Sequence, residues 1–582
     1  MTFSNPVFDS EYIARAFSFP IQLPLSSRSL LLFNYPNRLD AVPNYATIAA
    51  KLWLSSQEYF KGTFDVYKAY NTMVDGNLQN DVRDTLDKAE KIKINTLLET
   101  FTMPVTTGKW VFALTFAGTF GGVYYQIVIN GHSFGYTTVS GDTVSTAVIN
   151  LTNQIHAVFP NITTSRTDAL ELHDPDGNNP IEYSALLNMS ASEATTYGEA
   201  RQNAFLDFIK TDLITPPDSH RWPRKFNGNL YDGKALTVVA NPINYITWNG
   251  TDWIIRANEF RSSEDWSYTY QPFVRLAHVI EKVRVALGLD AITGDFDEWA
   301  DVDNIEFDHD VTFDFTRKEK VYDSLSAAWV DKYMNVFANT INLNNLVPDI
   351  SAKELFKNIC EWLRLDMTIE DNRLIFRKNK RVLKGDVRDF SLKINPTHEK
   401  DVKKPQGFTL KYKSYDGDTM APLTDYVSGD GVTIVDVPVS VPNQKVWVYG
   451  KMIESNRKAS TTVPFRVFFD RGLNGDYLMS SNDCFEEDGT TLRGLWSMQF
   501  DGSHGIVETF RGGIDELVID GESVTKTVYL TTADLFDLDN WNNSRVYFYD
   551  DEGASCQAVI KKIEVKVMQW NLAVARVTFV KI

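Results

Sequence analysis

The sequence predicts a multidomain, β-rich α+β fold, and three observations carry that prediction. Its 582 residues exceed what one hydrophobic core organises and correspond to about four domains at about 150 residues each. Short runs rich in β-branched and aromatic residues, bounded by turn residues, recur along most of the chain. Helical periodicity is confined to a few stretches among those runs. With 43% hydrophobic and 23% charged residues, 32 Gly and 21 Pro, the composition is that of a folded chain rather than a disordered one.

Residues 1 to 101 read as β, with the runs from Tyr45 to Leu54 and from Phe60 to Tyr67 forming a hairpin across a short polar connection. In residues 108 to 191 the runs Trp110 to Phe116, Tyr124 to Ile129 and Phe134 to Val139 are strands. Asn130-Gly131 between the last two supplies the positive φ of a two-residue turn. Val144, Val148, Leu151 and Ile155 then recur at the period of one helix face, so this block is a small α+β module. From 201 to 270, Pro216-Pro217, Trp222-Pro223 and Asn241-Pro242 favour extended, loop-rich structure.

Pro272 is expected to open a helix in which Phe273, Leu276, Ile280, Val283 and Leu287 share a face, ended by Gly288. A second helix follows the capping pattern Ser351-Ala-Lys-Glu354, and a hairpin around Glu370-Asp371 comes directly after it. From about 406 to Ile582 short β runs with regular turn spacing suggest a sandwich or barrel, with the C-terminal run Ala573 to Val580 inside the sheet. The expected division is therefore a first β domain at 1–107, continued in part within 192–265, and an inserted module at 108–191. A loop-rich β segment at 192–270, a middle α+β domain at 271–405 and a C-terminal β domain at 406–582 complete it.

The charge balance, 58 Lys+Arg against 76 Asp+Glu, gives a net charge of −18 and opposes non-specific attraction to nucleic acid or anionic lipid. The N-terminus lacks the pattern of a signal peptide and no apolar run spans a bilayer, so synthesis in the cytoplasm without stable membrane insertion is expected. Cys360, Cys484 and Cys556 are odd in number and far apart, implying neither a disulfide scaffold nor a zinc site.

Motifs for chemistry are mostly absent. No Walker loop is present, since the glycines of Gly118 to Gly122 lack a following Lys-Ser/Thr, and neither H-E-x-x-H nor G-x-S-x-G occurs. Ser503, His504 and Asp501 are neighbours in sequence, which suits a polar turn better than a triad whose members meet through the fold. No catalytic residue, cofactor or metal is expected. The most unusual stretch is Asp290, Asp295, Asp297, Glu298, Asp301, Asp303, Glu306, Asp308 and Asp310, nine acids in 21 residues without Lys or Arg. A solvated acidic loop is the bland reading; a Ca²⁺ loop is the sharp one, although the EF-hand spacing is missing.

Arg373, Arg377, Lys378, Lys380, Arg381, Lys384 and Arg388 form a compensating basic stretch. With only Phe376 interleaved, it fits partners of the acidic segment or of a neighbouring subunit better than a single-strand nucleic-acid surface. Trp248, Trp253, Trp266, Tyr268 and Tyr270 could stack on sugars, or pack strands and subunit interfaces.

The order of these pieces resembles a known family. It comprises the Phe60-Lys-Gly-Thr-Phe64 hairpin, Pro272-Phe-Val-Arg-Leu276 with its helix to Gly288, and Asn344-Asn-Leu-Val-Pro-Asp-Ile350 with the Arg373-Leu-Ile-Phe376 hairpin. Gly407 to Tyr412, the run Gly494-Leu-Trp-Ser497 and the strands after Val528 complete it. The chain is similar to the baseplate hub, or tail-tip hub, proteins of tailed bacteriophages, of the late-control-D type. The likeness covers about two-thirds of the chain in blocks, and residues 108 to 191 depart from a minimal hub.

The resemblance implies two β-barrel-like hub domains per chain and a homotrimer whose six units ring a DNA channel, adapting a hexameric tail tube to a trimeric tip. It implies a virion location at the tail tip and no enzymatic activity. The implied partners are the tail tube or distal tail protein, the tape-measure protein's C-terminus, and tip, spike or receptor-binding proteins, with phage DNA only in transit. The nine acids from Asp290 to Asp310 are then candidates for a lumenal loop. The alternative is a tail-associated glycan-binding or glycan-cleaving host-recognition protein.

Overall fold

Alternating apolar positions and two-residue turns organise most of the chain into antiparallel sheets, seen here in a computed structural model. The structure describes residues 2–5, 7–8, 18–26, 48–54, 57–102, 109–114, 121–160, 169–173, 183–195, 207–212, 215, 217–222, 224–227, 243–248, 253–257, 268–270 and 272–309. Beyond these it describes 314–323, 328–337, 340–401, 404–414, 424–441, 444–447, 450–455, 463, 465–474, 477–480, 492, 494–531, 534, 543–549, 553–569 and 572–582. Strands outnumber helices throughout, so the fold is β-rich α+β.

The first expected hairpin is present: Ile48–Leu54 pairs antiparallel with Gln57–Ala69, and Met73–Asn80 and Ser18–Pro24 extend the sheet to four strands. The first hundred residues are not all β, however. Asp81–Lys91 is a helix whose Leu86 and Ala89 enter the main core. Val82, Leu86 and Ala89 have helical spacing, in a run so polar that only three apolar side chains mark the face.

Residues 109 to 195 carry a core of their own, with Phe112, Ile127, Phe134, Val148, Leu151 and Leu172 among its buried side chains. Asn130 and Gly131 take φ of 47° and 80°, the turn that lets Tyr124–Ile129 fold back onto His132–Thr137. The Val144–Val158 helix starts at Thr143, whose hydroxyl accepts from the Thr146 N–H. Met189–Thr195 pairs with Lys109–Leu114, setting Thr195 opposite Lys109, so the module's sheet runs beyond the expected end at 191.

Pro272 does not open a helix. Phe273–Val274 is a short strand paired with His220–Arg221, and the helix is Leu276–Leu287 with Arg275 preceding it. Phe273 fits the helical spacing but is drawn onto Phe468 and the His309 ring instead. At the other end Gly288 takes φ 71°, as its position predicts. Ser351 caps Ala352–Leu363, its hydroxyl accepting from the Glu354 N–H at 3.1 Å. Leu365–Glu370 and Arg373–Lys378 form the next hairpin, turning at Asp371 and Asn372 with φ of 47° and 60°.

Among the described residues two seven-stranded sheets dominate. One is made mainly of chain-terminal segments: Val387–Asp389, Arg545–Tyr549, Ser555–Gln569, Leu572–Lys581, Ser523–Thr531 and Ile394–Asp401 in spatial order, with Thr2–Ser4 pairing onto Ser555–Gln569. The C-terminal strand is thus inside the sheet, and strands before 406 belong to it. The other joins Arg224–Asn227 and Tyr268–Tyr270 to Gln444–Trp447, Gly450–Ser455, Val467–Asn474, Tyr477–Ser480 and Ile305–Phe307. The loop-rich segment, the middle segment and the C-terminal segment therefore share one sheet. Among the described residues neither sheet closes into a barrel. The main core gathers both central helices, Trp222, Trp362 and Trp496 with side chains of the second sheet, while the first sheet has hydrophobic clusters of its own.

Candidate functional site

The acidic segment is not a free loop. Ala291–Gly294 adds in parallel to Arg373–Lys378, a tight helical turn covers Asp297–Asn304, and Ile305–Phe307 enters the second large sheet. Gly294 permits the close approach here, because a Cβ at that position would lie 2.8 Å from Trp299 ring atoms. Trp299 in turn stacks on Phe376 with centroids 5.0 Å apart.

This folding sorts the eight described acids into three groups. Asp290, Asp295, Asp297 and Asp303 are exposed, while Glu298 is half-buried. Asp301, Glu306 and Asp308 are buried, which removes them from the surface of the chain. Asp310 lies outside the described residues. Asp301 accepts from the backbone N–H groups of Leu495 and Trp496 at 2.7 and 3.3 Å. Trp496 Nε1 donates to the Glu298 carbonyl at 3.2 Å, and its ring packs on Trp362, Phe469 and Phe510. The loop-like run Gly494 to Ser497 is thereby a keystone of the main core. Asp308 pairs with Arg466 at 3.1 Å, both side chains buried.

The basic stretch meets the acidic one, as its charge predicts. Arg377 Nε lies 3.0 Å from Asp295 and Arg377 Nη2 3.1 Å from Glu370, while Lys378 Nζ lies 2.6 Å from Glu298. Arg381 grips Asp366 through two bonds of 2.8 Å and reaches Asn543. Lys380 donates to the Glu508 carbonyl, and burial lowers its ammonium below the usual lysine range. Arg388 donates to Ser544 Oγ at 3.2 Å. These cations therefore tie the middle segment to the acidic turn and to the terminal sheet. Arg511, fully buried, adds a second brace, donating to both oxygens of Asp515 and to the Glu361 and Trp362 carbonyls at the helix C-terminus.

Groups that could do chemistry are mostly locked. Asp501 to His504 form the turn that their sequence favours over a triad: His504 Nδ1 lies 3.2 Å from the Leu495 carbonyl, and the Ser497 N–H donates to the His504 carbonyl. A chain that sequence reading missed runs Ser219 Oγ, His220 and Asp212, at 2.9 and 3.0 Å. Ser219 and His220 are buried, and Trp222 Nε1 also donates to Asp212 at 2.7 Å. This chain braces the core, and its closeness in sequence was the available signal. Burial raises the Cys360 thiol well above its usual range, with Asp366 and Glu361 adding to the effect. Among the described residues no three His, Cys, Asp or Glu side chains are placed to hold a metal.

Of the aromatic set, Trp248 and Trp253 stand opposite each other on one hairpin, and Tyr268 and Tyr270 are on another strand. Trp266 lies outside the described residues. No helix of the described residues is long and apolar enough to cross a membrane. No protein-family model matches the chain, and no curated protein matches it significantly.

Proposed function

We propose that the chain is a structural hub of a bacteriophage tail tip, a trimer around a DNA channel that joins a hexameric tube to a trimeric tip. One observation carries the reading: each chain holds two seven-stranded sheets built from distant segments, so three chains present six such units about a threefold axis. The supporting observation is that Arg377, Lys378 and Arg381 of the basic stretch are spent on internal bridges, which suits a scaffold that lets DNA pass without holding it. Function on this reading is assembly, with the tube, tape-measure and tip proteins as neighbours and the virion as location.

The acids exposed enough to face a channel are Asp290, Asp295, Asp297 and Asp303, Asp295 while paired with Arg377. Across a gap of about 20 Å, screening over a Debye length of about 8 Å leaves a weak repulsion of phosphate, enough to prevent adhesion. A particle reconstruction tests this directly. Acidic side chains lining the ring's inner wall are expected, and an inner wall of Lys and Arg with these four on the exterior contradicts it.

A further inference from the structure

We propose that Glu306 is a proton-dependent latch: as the neutral acid it lets Ile305–Phe307 seat against Val467–Asn474, and on ionising it releases that pairing. The geometry is unusual for a carboxyl group. Glu306 is fully buried, and among the described residues neither side-chain oxygen has a hydrogen-bond partner. An ionised carboxylate so placed carries the full penalty of desolvation, whereas a neutral acid carries far less of it.

The surroundings favour the neutral form. Glu306 stands opposite Phe468 in the antiparallel register, on the sheet face where Phe468 meets Phe273. Two residues along that strand, on the same face, is buried Asp470. Burial first, and Asp470 second, push the Glu306 carboxyl well above the usual range; Arg221 and Arg275 pull the other way. Both arginines are engaged elsewhere. Arg221 donates to the Asp470 backbone carbonyl and to Asn304 Oδ1, and Arg275 to the Asp303 and Asp218 carbonyls.

The remaining neighbours are committed too. Arg466 faces Asp308, and His309 Nε2 lies 2.7 Å from the Pro272 carbonyl. On the adjoining Leu276–Leu287 helix, His278 and Lys282 turn to Glu99, and Glu281 turns to Arg284. The Phe273–Val274 strand brings no titratable group.

The linkage has a definite sign. A carboxyl raised in the closed state holds its proton there while the open state has lost it, so closure is strongest below the ordinary glutamate pKa of about 4.5 and weakens as pH rises toward the raised value. The proton leaves to water as the strand lifts. Since the strand joins the middle segment to the shared sheet, release loosens that junction.

Hydrogen–deuterium exchange on the full chain, corrected for intrinsic rates, tests this between about pH 5 and about pH 9. Opening at residues 305–307 and 467–470 should rise by roughly tenfold or more in the native chain, because each pH step of about one through which the closed form alone keeps its proton favours opening about tenfold. The rise should be less than about twofold in Glu306→Gln. Asp470→Asn, which removes the second cause of the raised pKa, should give an intermediate rise. Infrared difference spectra of the native chain against Glu306→Gln near neutral pH should show the carbonyl stretch of a neutral acid. Equal pH dependence in native chain and Glu306→Gln, or no neutral-acid band, would overturn the latch. Should Glu306→Gln fail to fold, the infrared titration of the native chain decides alone through the pH at which the band is lost.

Discussion

At the scale of single residues, the buried carboxylates are satisfied in different ways. Asp301 accepts two backbone N–H groups, Asp308 faces a buried guanidinium, and the Glu306 carboxyl has no hydrogen-bond partner among the described residues. Removing one member of a buried pair leaves the other desolvated and uncompensated, so Asp308→Ala should destabilise the chain by about 3–5 kcal/mol. Replacing both, as Asp308→Leu with Arg466→Met, should recover most of that loss. Denaturant midpoints check the pair, and a double variant as unstable as the single one would show that packing rather than charge is at stake. The acids themselves were plain in the composition, but their fates were not. Leu495 and Trp496, which decide the fate of Asp301, are 194 and 195 residues away in the chain, and no local pattern announces a partner at that distance.

At the scale of elements, legibility followed the strength of local rules. The Asn130-Gly131 turn, the Ser351 cap and the Gly288 stop all answer to backbone chemistry within a few residues and each was readable, while the hairpin read around Glu370-Asp371 turns one residue later, at Asp371-Asn372. Where tertiary contacts compete, the local reading failed. Phe273 belongs by spacing to the helix and by packing to the Phe468 and His309 cluster, and packing wins. The Asp81–Lys91 helix was missed because its face holds so few apolar residues.

The parallel addition of Ala291–Gly294 to Arg373–Lys378 depends on Gly294, where a Cβ meets the Trp299 ring. Gly294→Ala should therefore lower stability by about 1–3 kcal/mol through overpacking. Thermal unfolding measures it. Co-substitution of Trp299 by Leu should relieve part of the loss, and an unchanged Tm in Gly294→Ala would show that the ring moves aside freely.

At the scale of the whole molecule, distant segments are stitched together while one module stands apart. Thr2–Ser4 pairs with Ser555–Gln569, and strands near 224 and 268 share a sheet with strands from 450 to 480, so boundaries drawn along the sequence cut through real sheets. The 109–195 module differs: its core is its own, and its first and last strands begin and end side by side at Lys109 and Thr195. Joining 108 to 196 through a short Gly/Ser linker should leave the remainder folded, with circular dichroism and cooperative unfolding retained. Global insolubility of that deletion would show that the rest leans on the module.

The central claim, that two large sheets per chain serve a threefold assembly, is tested most directly by counting copies in a cryo-EM reconstruction of the tail tip. The account predicts three copies ringing an open channel, with the two sheets of each chain in six quasi-equivalent positions. Six copies in the ring, or a chain attached singly at the periphery with sugar bound, would contradict it.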